Sequence, residues 1–292
     1  MYFSFAFSKS ASDVSERAKT LQSHKRKTTI ITHTSQQEVT KKYMQLYFIR
    51  HGQSINNAHW NEPDYTESPD PVLTEIGQEQ AQILGEYLEQ LQNINEHQGW
   101  NVHNRHGFGI THIYTSLMER AAHTASFAAR RLSQIPFMAW EEIHESGGIF
   151  GRDGDTKLQG LPGRTRAFFE EQFPELNLPG SLNGTGWWNN RPFETEEDCQ
   201  LRAQQVWKEL LARHADRDGE PEQRVLLVSH GGFFGHLVCA MLNLPWRQAS
   251  NGLKSWFVLN NCSISRFDIR DGEVLISYLN RVDHLPTHLI TG

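Results

Sequence analysis

From Met44 onward, short runs of β-branched and aromatic residues alternate with stretches whose apolar positions recur every three to four residues. That alternation predicts an α/β domain with a largely parallel central sheet. Strands are expected at Gln45 to Arg50, His112 to Thr115, Phe137 to Trp140 and Val225 to Ser229. Leu73-Thr74-Glu75 opens a helix to about Gln92, with Ile76, Ala81, Ile83, Leu84, Tyr87, Leu88 and Leu91 on or beside one face. Further helices are expected over Leu117 to Leu132, Thr195 to Arg213 and Gly232 to Leu242. Near the end, "SWFVLNNCSISRFDI" and "EVLISYLNR" flank Arg270-Asp271-Gly272-Glu273, where Asp-Gly is a hairpin signal, so the last two strands should pair antiparallel at an edge.

Two segments break the alternation. Asn93 to Gly109 is polar, contains glycine and holds His97, His103 and His106, the pattern of a long surface loop. Glu141 to Arg191, or to about residue 194, is punctuated by Gly and Pro and rich in aromatics, including Phe168, Phe169, Phe173, Trp187 and Trp188. It is expected to form a cap over the working edge of the sheet.

Composition changes this picture mainly at the N-terminal end. Residues 1–43 carry thirteen Ser/Thr and eight Lys/Arg against three Asp/Glu, a net of +5, with no helical or strand period. They read as a disordered leader ahead of one domain spanning 44–292; an organelle transit peptide is the competing reading. The formal net charge is −6, which leaves −11 for the rest, so the body is acidic and nucleic acid is not an expected partner. No apolar run is long enough to span a membrane, and none is expected as a partner. Cys199, Cys239 and Cys262 lack disulfide-framework or zinc-ligand spacing, which fits a reducing, cytoplasmic setting. For a chain of this size a homodimer is the default expectation.

The chemistry sits at strand ends. "FIRHG" closes the first strand and "LLVSHGG" the fourth, while "HIYTS" leads into "LMERAAHTA", which carries Arg120 at the start of its helix. In an open parallel sheet, ligands bind beyond the carboxyl ends of the strands, where helix N-termini present free N–H groups. If the strands are neighbours, Arg50, His51, Arg120 and His230 converge on one crevice. Arginine's planar fork matches phosphate oxygens, and a neutral imidazole can attack phosphorus in line. His97, His103, His106 and His112 lack the carboxylate or cysteine that would complete a metal set, so no metal and no cofactor is expected.

Arg50-His51-Gly52-Gln53-Ser54 with Asn57 resembles the RHGxSxxN motif of the histidine phosphatase superfamily, the phosphoglycerate-mutase-like fold. "YTSLMERAAHTA", "WEEIHESGG" and "VSHGG" resemble its second arginine, acidic and second histidine segments in the same order, so the likeness runs from about Met44 to Arg281. It implies a three-layer sandwich with His51 as nucleophile, a phosphoryl group held by Arg50, Arg120 and His230, and a hydrogen bond to it from Asn57. Gly52 and Gly231 are assigned to substrate binding, Gly52 because a glycine lets backbone N–H groups approach an anion. The proton donor would be a carboxylate heading an E-x-x-x-G pattern. Counting back from Gly147 through a one-residue difference selects Glu142 among Glu141, Glu142 and Glu145, and Glu145 stays open.

Several side chains have simpler readings. Trp187 and Trp188 suit a cap core, Ser54 and Ser116 suit helix capping, and His144 suits a solvated loop better than a substrate contact. Arg152, Lys157, Arg164, Arg166 and Arg191 form a basic excess that hints at a second anionic group on the substrate; pairing with Asp155, Glu170 and Glu171 is the alternative. "DPVLTEIGQEQA" resembles phosphatase members, and the segments typical of cofactor-dependent mutases are absent. The chain is therefore read as a phosphomonoester hydrolase acting on a small phosphorylated metabolite. Its alternatives are mutase-type transfer and a phospho-ligand scaffold without catalysis, the latter opposed by the full residue set.

Overall fold

The computed structural model describes residues 43–93, 101–153, 157–215, 222–246 and 257–292. The leader expected at 1–43 lies outside them, apart from Tyr43, which opens the first strand. In chain order the elements are β1 (Tyr43–Arg50), α1 (Ile55–His59), α2 (Glu75–Gln90), β2 (His112–Thr115), α3 (Glu119–Arg131), β3 (Phe137–Ala139), β4 (Phe150–Asp153) and β5 (Lys157–Gly160). They continue with α4 (Arg166–Gln172), α5 (Glu196–Leu210), β6 (Gln223–Ser229), α6 (Gly231–Met241), β7 (Ile264–Arg270) and β8 (Glu273–Arg281).

β1 explains the architecture. Its apolar run is nearly continuous because both faces are covered, as parallel strands in α/β proteins require. Tyr47 and Ile49 point into one core with Leu84 and Leu88 of α2 and Ala121 and Ala125 of α3. Leu46 and Phe48 point into the other with Ala203 and Val206 of α5 and Phe234 and Leu237 of α6. The six-stranded sheet runs β3-β2-β6-β1-β7-β8. Its first four strands are parallel, and β7 and β8 turn back antiparallel at one edge. The mixed α/β fold and edge hairpin are as expected. No described helix is long and apolar enough to cross a membrane.

The segment at 141–194 folds as an antiparallel β4–β5 hairpin, the short α4 and aromatic turns. Trp187 and Trp188 are buried in its interior, with Arg191 stacked over the Trp188 ring. His144 departs from expectation: it is buried, edge-on to Trp188, because its aromatic neighbours exclude water. The expected surface loop at 93–109 also needs correction over its described part, 101–109. Phe108 is fully buried edge-on to Tyr47, and Asn104 donates from Nδ2 to the Tyr47 hydroxyl at 2.6 Å. His97 lies outside the described residues.

Two glycines fix the loop after β1 against the start of α2. A side chain on Gly52 would sit 2.5 Å from the carbonyl oxygen of Gly77, and one on Gly77 would be driven into the carbonyl of Gln53. Backbone meets backbone here, so neither side can yield cheaply. Gly77→Ala should therefore cost about 3 kcal/mol. Differential scanning calorimetry is the check, and an unchanged Tm would contradict this packing.

Candidate active site

The site follows from strand adjacency. Arg50 at the end of β1 pairs with Ser229 at the end of β6, and His51 N–H continues the ladder to Ser229 O at 3.0 Å. The two histidine loops therefore leave the sheet at one level, with the rings of His51 and His230 5.1 Å apart. β2 borders β6 on its other side, so the first turn of α3 brings Arg120 to the same edge. Beside these ends lies a cavity of about 1060 Å3, whose lining includes Arg50, His51, Asn57, Arg120, Glu145 and Gly231.

His51 is 3% exposed, and both of its ring nitrogens have partners. Nδ1 lies 2.7 Å from the carbonyl oxygen of Gly52, which can only accept, so Nδ1 carries the proton. Nε2 then presents its lone pair and accepts from Arg120 Nε at 3.1 Å. Burial, then the nearby Arg120 and Arg50 guanidinium groups, hold the imidazole pKa well below its ordinary value. The ring is thus neutral, aimed and nucleophilic at Nε2.

Arg50 donates from Nη1 to the carbonyl of Leu259. Its Nε is buried without a hydrogen-bond partner among the described residues, 3.5 Å from where a side chain on Gly231 would begin. Glycine at 231 keeps that edge of the guanidinium open. Asn57 is the third helical residue of α1, which Ser54 caps through a reciprocal capping box. Its Oδ1 accepts from Ser54 N, Ser54 Oγ and Asn261 Nδ2, which leaves its NH2 group as the donor for the cavity.

Of Glu141, Glu142 and Glu145, Glu145 lines the cavity and the other two do not; Glu62 and Glu67 also border it. The Glu145 oxygens accept from Gly232 N at 3.2 Å and Phe233 N at 2.8 Å, so the first turn of α6 fixes its position. Glu142 faces Arg191 and Arg202, and partial burial raises its pKa. The turn at Glu141–Ile143 and the extended His144 that follows it separate the two carboxylates, and counting along a motif could not foresee that rotation. Arg202 fastens this segment by donating to Glu142 O at 2.6 Å and His144 O at 3.2 Å while paired with Glu194.

Two assignments read differently in the structure. Gly52 does not line the cavity, and its N–H is spent on Thr124 Oγ1 at 3.0 Å; close approach to Gly77, not anion binding, explains the glycine. His230 is fully buried and does not line the cavity; its Nε2 lies 2.9 Å from Ser116 Oγ, which also accepts from Met118 N. Burial and the adjacent Arg120 push its pKa well down, so it too is neutral. Of the five cap cations, Arg152 lines the cavity, whereas Arg164, Arg166 and Arg191 pair with Glu119, Glu170 and Glu141. Among the described residues no cluster of His, Cys, Asp or Glu is placed to hold a metal ion.

Residue-by-residue reading missed a supporting tier. Asp70 Oδ1 lies 3.8 Å from Arg120 Nη1 and accepts from Glu119 N at 3.1 Å. Asn261 donates from Nδ2 to the His51 carbonyl at 3.0 Å. The only local signals were an aspartate within "DPVLT" and the Asn260-Asn261 pair ahead of a β-run, both of which resemble ordinary turn punctuation.

The chain is similar to several known proteins. Curated relatives include the probable phosphoglycerate mutase GpmB of Salmonella arizonae, 29% identical over 236 residues, which covers 80% of this chain and 89% of the relative. The same protein from Salmonella paratyphi B is 29% identical over 241 residues with the same coverage. Similar folds include mycobacterial hydrolase 1 (TM-score 0.51, 22% identity, 82% of this chain and 99% of that one) and Bacillus stearothermophilus YhfR (TM-score 0.51, 22% identity, 82% and 98%). The family model of the histidine phosphatase superfamily, branch 1, matches residues 46–97 and 101–282. The chain belongs to the histidine phosphatase superfamily.

Proposed function

We propose that the protein hydrolyses phosphomonoesters of small metabolites through a phosphohistidine on His51. The observation that carries this reading is the locked tautomer: Nδ1 is bound to Gly52 O, and Nε2 carries the lone pair beside Arg120 Nε, in a ring that lines the cavity with Arg50 and Arg120. With Arg50 and Arg120 on the phosphoryl oxygens, the Nε2 lone pair forms the N–P bond as the P–O bond to the leaving group breaks. Glu145 gives that oxygen a proton. Water then attacks phosphorus, Glu145 takes its proton, the N–P bond breaks and inorganic phosphate leaves. Asn57 hydrogen-bonds the phosphoryl group, and the neutral His230 supports His51 from within the protein. Arg152 gives the cavity a site for a second anionic group on the substrate. Three unpaired, buried cysteines support a reducing, cytoplasmic setting.

The names of the curated relatives favour a second reading, in which a substrate hydroxyl replaces water as acceptor. Phosphate release from a panel of phosphorylated metabolites, with and without EDTA, tests hydrolysis. Incubation with 3-phosphoglycerate and its bisphosphate primer tests transfer, and robust formation of 2-phosphoglycerate would replace the hydrolase reading.

Glu145→Gln should slow hydrolysis of alkyl phosphates about a hundredfold or more, whereas with p-nitrophenyl phosphate, whose leaving group needs no proton, the first-turnover burst of nitrophenol should persist and the slowing fall on the water-attack step. Glu142→Gln should stay within about threefold of the parent, because that carboxylate lies off the cavity. The reverse pattern would move the proton donor to Glu142.

Asp70 adds a pH dependence. Burial pushes its pKa up to about 6, with Arg120 opposing, so the folded protein favours the protonated acid. That contribution is complete below the ordinary value of 3.8 and is lost as pH rises through about 6. Relative to Asp70→Asn, which cannot ionise, the parent should lose about 2–3 kcal/mol of stability between pH 4 and 7. Denaturant melts of both proteins across that range provide the measurement; a constant difference would contradict it.

A further inference from the structure

The segment after β8 also reaches the site, where the Thr291 hydroxyl links two side chains that hold the loop after β1. Thr291 Oγ1 accepts from Gln80 Nε2 at 2.8 Å and donates to Asn261 Oδ1 at 3.0 Å. Gln80 and Asn261 are both fully buried, and each turns its other end toward the loop after β1. Gln80 Oε1 accepts from Gln53 N at 2.8 Å, and Asn261 Nδ2 donates to His51 O at 3.0 Å and Asn57 Oδ1 at 3.2 Å. The Thr291 carbonyl accepts from Asn261 N at 2.8 Å and Asn260 Nδ2 at 3.1 Å, and the next residue, Gly292, lines the cavity.

Every donor in this chain has one direction. Because Thr291 supplies the proton to Asn261 Oδ1, the amide of Asn261 must turn its NH2 toward His51, which fixes the carbonyl that precedes Gly52 and the placement of Asn57. A buried amide stripped of that hydroxyl can rotate, and the His51 carbonyl then keeps only the longer bond from Cys262 N at 3.3 Å. We infer that Thr291 is a positioning residue which, through Asn261 and Gln80, aims the His51 imidazole at the phosphoryl group. The inference rests on the phosphohistidine reading for its kinetic consequence, while the geometry it concerns can be probed without turnover.

Thr291→Val keeps the shape and removes the hydroxyl; Thr291→Ser keeps the hydroxyl. Misaiming a nucleophile by a fraction of an ångström costs rate more than binding, so the valine variant should lose roughly tenfold in kcat with KM little changed, and serine should restore it. Orthovanadate, which takes the imidazole as a fifth ligand, and inorganic phosphate, which does not, supply the readout independent of turnover. Titration calorimetry on the full chain should show the valine variant losing roughly tenfold in vanadate affinity while phosphate affinity holds. If the parent releases phosphate from no ester, the hydrolase reading fails and the vanadate-to-phosphate ratio still decides this inference. An unchanged ratio, or a kcat loss that serine does not restore, would overturn it.

Discussion

The hydrogen bond from His51 Nδ1–H to Gly52 O governs the chemistry available to this fold. It places the proton on Nδ1 and leaves the lone pair on Nε2, where Arg120 Nε donates to it. Burial and two guanidinium groups then hold the imidazole neutral, so its lone pair persists where a cation would otherwise form. A charged ring could only donate, and the site would merely bind phosphate. Kept neutral and locked in one tautomer, it can form a bond to phosphorus.

Around that bond the fold supplies parts from different layers without long loops. Parallel adjacency of β1, β6 and β2 sets His51, His230 and Arg120 at one sheet edge, while the antiparallel β7 begins where Cys262 N and Asn261 Nδ2 meet the Arg50 and His51 carbonyls. α6 contributes twice. Its first residue is the glycine that leaves Arg50 open, and its following two N–H groups hold Glu145. Arg50, His51, Arg120 and Glu145 are therefore positioned by backbone geometry, and rigid support of this kind is what electrostatic preorganisation requires.

Much of this was legible in the chain. A both-faces-apolar strand, the Asp-Gly hairpin and the histidine-glycine strand ends are local patterns with direct physical causes, and all of them fold as those causes dictate. Which carboxylate meets the cavity was less legible because Glu142 and Glu145 are separated by one tight turn whose rotation no spacing rule encodes. Gly52 was misread for a related reason. A glycine records that a side chain is unwelcome without saying what crowds it, and here the crowding atom belongs to Gly77, distant in sequence. Asp70, Asn261 and Thr291 act through partners tens to hundreds of residues away, so their sequence neighbourhoods look like turns.

The most direct measurement is capture of the covalent intermediate. The protein is mixed with a 32P-labelled phosphomonoester that it hydrolyses, quenched within milliseconds in alkali, and digested for peptide mapping. A phosphohistidine mechanism at His51 predicts alkali-stable, acid-labile label on the peptide carrying "LYFIRHG", confined to Nε2 and absent from His51→Ala. Turnover without label on that peptide, or label that survives in His51→Ala, would contradict it.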